Sequence, residues 1–147
     1  MGSSKSEVKL STDGIRYIAL FENLTGARAR DCYEDSENNR LLFVVKNGDM
    51  GLAIGKGGDN INRVKKAIGK HIEIIEHSDD PAEFVKNAFH PVLVKNINIS
   101  VSDGKRIAYV EVPTKEKGLA IGRDGKNIEK VKKLSLRHHN ISDVIIQ

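Results

Sequence analysis

Gly51-Leu52-Ala53-Ile54-Gly55-Lys56-Gly57-Gly58-Asp59-Asn60-Ile61 is the stretch that decides the fold, because it occurs twice. It returns 67 residues later as Gly118-Leu119-Ala120-Ile121-Gly122-Arg123-Asp124-Gly125-Lys126-Asn127-Ile128, and between Gly51–Lys66 and Gly118–Lys133 eleven of sixteen positions are identical. A repeat at so long a period marks two copies of one module. Each copy holds a short apolar run, a Gly-x-x-Gly tetrapeptide and a basic helical pattern. Glycine lets the backbone come close to a ligand, and the first N–H groups of a helix lack partners inside it. Together they suit a phosphate. At this level the stretch reads as a clamp on a phosphate backbone, present twice.

The length of 147 residues accommodates two small modules, expected at residues 1–77 and 78–147. Domains this small are marginal alone, which favours their packing together. Apolar residues at 39% and charged residues at 30% describe a globular chain rather than a disordered one. No apolar stretch approaches the roughly 18 residues that span a bilayer, and no signal-peptide pattern is present, so no membrane partner is expected and the setting is expected to be cytoplasmic. Cys32 is the single cysteine, which excludes an internal disulfide or a cysteine-built zinc site; it reads as a small half-buried strand residue. Residues up to about Leu10 are expected to form a mobile start, in which Met1 to Ser6 fits only a loose acylation pattern.

Net charge is +4, and its placement is more telling than its size. Lys56 to Lys70 carries a net +4 and Lys115 to Arg137 a net +5, so the rest of the chain is acidic. Basic charge gathered on both repeated motifs is the footprint of a polyanion site. An ordinary solvated helix face is the bland alternative for either segment alone. Catalysis is not expected. The five histidines show no metal-ligand spacing, and no serine or cysteine sits in a nucleophile motif. Neither a metal nor another cofactor is expected.

In chain order, Ser11-Thr12-Asp13 caps a helix running to Leu24 and stopped at Thr25-Gly26. Ala27 to Tyr33 is expected as an edge strand, 34–39 as a turn, and Leu41 to Val45 as a central buried strand. A short helix holds Met50 to Ile54. After the glycines a helix runs from about Asp59 to Ile68 with Ile61, Val64, Ala67 and Ile68 on its apolar face, and Ile72 to Ile75 forms a strand. Asp79-Asp80-Pro81 starts the next helix, which His90-Pro91 breaks. Val92 to Val101 is expected as a strand, joined at Asp103-Gly104 to its partner Ile107 to Val112. A short helix to Ile121, the second glycine loop, a helix to about Arg137 and a strand from Ile141 to Ile146 complete the chain. The glycine loop thus lies between two helices. That placement excludes a P-loop, which follows a strand and ends in Gly-Lys-Ser/Thr, and a Rossmann fingerprint, whose third glycine is replaced by Asn60.

Ile54-Gly55-Lys56-Gly57-Gly58 and Ile121-Gly122-Arg123-Asp124-Gly125, each between short helices, resemble the loops of the KH family of RNA-binding domains. The order of elements is similar to the type II form, and Ala120 to Ile128 resembles the second KH loop of the NusA-type transcription factors in their short archaeal form. The resemblance implies an α+β fold of two tandem type II KH domains, each a three-stranded sheet with helices packed on one face. It implies binding of about four nucleotides of single-stranded RNA per module, in transcription termination or antitermination, with RNA polymerase or the transcription complex as a further partner and a monomeric protein. By the same resemblance, the polymerase-binding front domain and the OB-type domain of longer relatives are not expected here, and direct control of pausing is expected less than RNA binding. The same resemblance leaves open an adaptor in ribosome assembly or RNA processing, and single-stranded DNA as ligand.

By that resemblance Gly55, Lys56, Gly57 and Gly58, with Gly122, Arg123, Asp124 and Gly125, contact the nucleic-acid backbone. Asn60, Ile61, Lys126, Asn127 and Ile128 complete the expected interface with Lys65 and Lys132, and Lys65, Lys66, Lys132 and Lys133 steer the strand. Ile54, Ile61, Ile121 and Ile128 line or support a groove; plain core packing is the default for such isoleucines. Aromatic residues number seven and none flanks either loop, which suits an aliphatic groove better than the stacking platforms of RRM or OB folds. The two loops differ in charge, since Asp124 stands where the first copy has Gly57. The first module is therefore expected to bind more tightly. The short connection from Glu76 to Asp79 is expected to hold the modules in a fixed orientation on one strand.

Overall fold

A computed structural model describes residues 8–147; the expected start at Met1 to Glu7 lies outside the described residues. The chain divides into two compact units, which part between Ser78 and Asp79. In the first unit the order is α1 (Thr12–Thr25), β1 (Ala29–Asp35), β2 (Arg40–Val45), α2 (Met50–Ile54), α3 (Asp59–Ile68) and β3 (His71–Glu76). In the second it is α4 (Pro81–Phe89), β4 (Asn96–Ser102), β5 (Lys105–Glu111), α5 (Lys117–Ile121), α6 (Lys126–His139) and β6 (Ile141–Ile146). The fold is α+β, with one three-stranded sheet per unit.

Each sheet keeps the strands in sequence order, and each is mixed: β1 and β4 run antiparallel to β2 and β5, whereas β3 and β6 run parallel to them. The parallel step follows from the connection. The helix–loop–helix segment carries the chain back across the sheet before the last strand enters, which is a crossover rather than a hairpin. The glycine loops are the bends of these crossovers.

The central strand β2 is buried along its whole length, as its continuous apolar run predicts. Leu41, Phe43 and Val45 share one face by the two-residue period of a strand. They join Phe21 of α1, Ala53 of α2, Val64 of α3, and Cys32 and Ile72 of the flanking strands in one core. Phe21 stacks on Phe43 with centroids 4.3 Å apart. In the second unit Phe84, Val85, Ala88 and Phe89 of α4 are buried, with Val131 and Leu134 of α6 and Ala108 and Val110 of β5.

Capping side chains set the helix starts. Ser11 Oγ accepts from the Gly14 N–H at 2.9 Å, and Asp80 Oδ2 accepts from the Glu83 N–H at 2.9 Å, with Pro81 in the first turn. Four expectations are corrected. The first strand runs on to Asp35, because Glu34 and Asp35 pair with Leu41 and Arg40. β4 begins at Asn96 rather than Val92, because the Val92 N–H turns back to the Phe89 carbonyl. α6 extends past Arg137 to His139, where Asn140 in the left-handed conformation closes it. Ala67 is exposed, outside the apolar stripe of α3. No helix among the described residues is long and apolar enough to cross a membrane.

Phe21 fills the space between α1 and the sheet, so Phe21→Ala leaves a cavity that the stacked Phe43 cannot close. Its expected cost is about 3–5 kcal/mol, against about 0.5 kcal/mol or less for Ile15→Ala on the exposed side of the same helix. Urea unfolding of the two variants checks the contrast.

Candidate nucleic-acid interface

Each loop is built around one close approach. Gly55 has φ 76° and ψ 173°, and Gly122 has φ 80° and ψ 169°. This region of backbone space is open essentially to glycine alone. The space is closed as well. A Cβ on Gly55 would lie 2.7 Å from Asn60 Cγ and 2.9 Å from its backbone N, and a Cβ on Gly122 would lie 2.7 Å from Asn127 Cβ and 2.8 Å from its backbone N. The asparagine that fills this space also ties the two helices together. Asn60 Nδ2 donates to the Leu52 carbonyl at 2.8 Å, and Asn127 Nδ2 donates to the Ala120 carbonyl at 2.9 Å. Carbonyls at a helix C-terminus lack an intrahelical donor, so the amide satisfies one of them while fixing the start of the next helix. Asn60 and Asn127, expected at the interface, therefore brace the loops from inside.

Short turns follow. The Gly58 N–H donates to the Gly55 carbonyl at 3.2 Å, and the Gly125 N–H to the Gly122 carbonyl at 3.1 Å. The third loop position is left-handed in both copies, with Gly57 at φ 61° and Asp124 at φ 55°. Neither α3 nor α6 has a side-chain cap; glycine stands at both N-cap positions. The positive helix ends thus open beside the loops, where an anion is favoured. Lys56 and Arg123 are exposed at the loop tips and have no ion-pair partner among the described residues.

The short helices that enter the loops bury one residue each, Ala53 and Ala120. Ile54 and Ile121 are 40% and 45% exposed, and Leu52 and Leu119 are 51% and 64% exposed. Core packing is thereby overturned for Ile54 and Ile121. Ile61 is half-buried against the core of the first unit, and Ile128 is half-buried beside Gly125. Leu52 and Leu119 were not among the expected interface residues. The signal for them was present: both copies keep Leu-Ala-Ile, and of these three only the alanine is buried.

The expected lysines divide. Lys65 and Lys66 are exposed on α3, where with Asp59, Asn62 and Arg63 they line a shallow polar hollow. Lys70 is drawn away from that surface: its Nζ lies 2.6 Å from Glu34 Oε2, and this hydrogen bond raises its pKa. Lys132 is also occupied, with Nζ 3.3 Å from Asp143 Oδ1. Lys126 and Lys133 lie on α6 in the second unit, Lys126 at the loop and exposed, Lys133 half-buried. Arg40 sits buried at the start of β2. Burial opposes its charge, but hydrogen bonds to Asp35 at 2.7 Å and Glu73 at 2.9 Å outweigh that and raise its pKa.

Two α-β-β-α-α-β units, each with a Gly-x-x-Gly bend between short helices, define a tandem KH protein of the type II order. A model of the KH domain matches residues 15–102, and a model of the NusA-like second KH domain matches residues 81–146. The "probable transcription termination protein NusA" of Halobacterium salinarum is 39% identical over 93% of this chain and 96% of its own length, and that of Halococcus morrhuae is 40% identical over the same shares. The crystal structure of APE1850 superposes with a TM-score of 0.84 at 37% identity, covering 94% of this chain and all of that one. The chain belongs to the NusA family of KH-domain proteins.

Two glycines four positions apart test the loop geometry. Gly51 lies inside α2 with open space where a Cβ would go, so Gly51→Ala is expected to stabilise by up to about 1 kcal/mol through helix propensity. Gly55→Ala must displace Asn60 and is expected to cost about 1–3 kcal/mol. Thermal unfolding of both variants measures the difference, and equal effects would contradict the close approach described above.

Proposed function

We propose that the protein binds single-stranded RNA with both glycine loops and acts in transcription termination or antitermination. The observation that carries this reading is the duplicated loop. Twice, a glycine-only bend delivers the backbone to an uncapped helix start, with a cationic side chain at its tip and two exposed aliphatic side chains beside it. A phosphate meets the loop and the helix end, the basic side chain neutralises it, and the aliphatic surface receives the bases. Gly55, Lys56, Gly57 and Gly58, and Gly122, Arg123, Asp124 and Gly125, are the residues assigned to the RNA backbone. Similarity to proteins named as transcription termination factors supports the cellular role.

The modules differ in strength. Gly57 and Asp124 hold the same left-handed conformation, so a carboxylate is accommodated there at little steric cost but opposes an approaching phosphate. Replacing Lys56 and Gly57 together by aspartate is expected to weaken RNA binding more than replacing Arg123 by aspartate, by about tenfold at moderate salt. The logarithm of the affinity of the parent chain should fall with the logarithm of salt concentration at about −0.7 per phosphate neutralised. Titration of a labelled single-stranded RNA by fluorescence anisotropy reads both quantities; equal losses from the two loops would remove the ranking. For the cellular role, tagged protein is expected to retain RNA polymerase after nuclease treatment. Retention of ribosomal particles instead would move the protein to ribosome assembly.

A further inference from the structure

In each unit the helix after the loop packs against the last, edge strand of the sheet: α3 beside β3 and α6 beside β6. Lys65 and Lys132 occupy the same place in the repeated motif, and Glu73 and Asp143 are each the third residue of the last strand. The units treat this carboxylate differently. In the first, Glu73 is engaged by Arg40 of the neighbouring strand at 2.9 Å, which leaves Lys65 without an ion-pair partner among the described residues. In the second, the arginine at the corresponding place, Arg106, donates instead to the His139 carbonyl at 2.8 Å. Asp143 is thereby left to face α6. Its Oδ1 accepts from the Val144 N–H at 2.8 Å and lies 3.3 Å from Lys132 Nζ. Its Oδ2 has no protein partner among the described residues, and the side chain is 46% exposed.

Building on the RNA-binding reading of this interface, we infer that Asp143 is a base-selecting residue of the second module, accepting a hydrogen bond from the exocyclic amino group of a bound base and disfavouring uracil. The chemistry follows from the placement. The carboxylate stands on the strand beside the helix that follows the loop, so a strand gripped at Gly122–Gly125 brings its bases toward it. One hydrogen bond, from the Val144 N–H, and one ion pair, with Lys132, both engage Oδ1, so Oδ2 is the oxygen left to accept from a ligand. An ionised carboxylate only accepts. An amino group satisfies it, as with cytosine N4, whereas the C4 carbonyl of uracil leaves two acceptors opposed. Lys132, held by Asp143, adds little to phosphate attraction, so the second module depends more on the base than on charge. The first module, with Lys65 unengaged and Glu73 turned aside, keeps the opposite balance.

The test uses the full chain, with the Val144 amide as a reporter bonded to Asp143. Oligocytidine and oligouridine of about ten nucleotides carry the same phosphates and differ at the amino or carbonyl group. In titrations followed by ¹⁵N-resolved NMR, the Val144 signal is expected to saturate with oligocytidine at about tenfold lower concentration than with oligouridine. Asp143→Asn replaces the outward acceptor by a donor and is expected to abolish or invert that preference. Asp143→Ala is expected to level it, and serves as the second variant should the first lose its fold. An unchanged preference in both variants overturns the inference while leaving the loop clamp standing. If neither oligomer binds the parent chain, the RNA-binding reading itself fails, and the inference with it.

Discussion

The close approach of Asn60 to Gly55, repeated by Asn127 on Gly122, is the contact on which the rest of each unit depends. It joins a five-residue helix to the longer one that follows, at a bend that no Cβ could enter. Without it α2 and α5, five residues each, would have little to hold them, since helices so short are not stable on their own. The asparagine amide supplies a donor to the end of one helix and sets the beginning of the next. The crossover can then return the chain to the same end of the sheet, which is what makes the last strand parallel to its neighbour. The loop tip takes no part in this contact, and Lys56 and Arg123 stay exposed there.

Acidic residues decide how much of the basic charge near each loop is available. Three arrangements use the same ingredients to different ends. Lys70 is held by Glu34, Arg40 is shared between Asp35 and Glu73, and Lys132 is held by Asp143. The first two lie in the first unit and leave Lys65 and Lys66 exposed on α3. The third lies in the second unit, between the helix that follows the loop and the last strand. Exposed pairs such as Lys132–Asp143 contribute little to stability, so their main consequence is to redistribute charge and acceptors on the surface. The repeat therefore specifies two scaffolds alike and two surfaces unlike.

Much of the fold was legible in the residues. The repeat announced two modules, and the apolar run at Leu41 to Val45 announced a central strand buried throughout. Asp80-Pro81 placed the start of α4 by its capping chemistry, and Asp103-Gly104 placed the hairpin. Strand edges were less legible. Glu34 and Asp35 look like turn residues, yet cross-strand partners extend β1 through them. Val92 to Val94 look like strand residues, yet backbone bonding closes the helix before them and delays β4 to Asn96. Partners distant in sequence made both decisions.

For the candidate interface, the sequence by itself determined the glycine loops, their place between helices and their cationic tips, because glycine and charge patterns are local properties of the chain. Tertiary structure alone decided which neighbours remain free to act. It turned Leu52, Ile54, Leu119 and Ile121 outward, set Asn60 and Asn127 to work as braces, and gave Lys132 a carboxylate partner while sparing Lys65. The physical reason is that exposure and ion pairing depend on what the sheet brings alongside each helix, and the two sheets bring different residues to equivalent places.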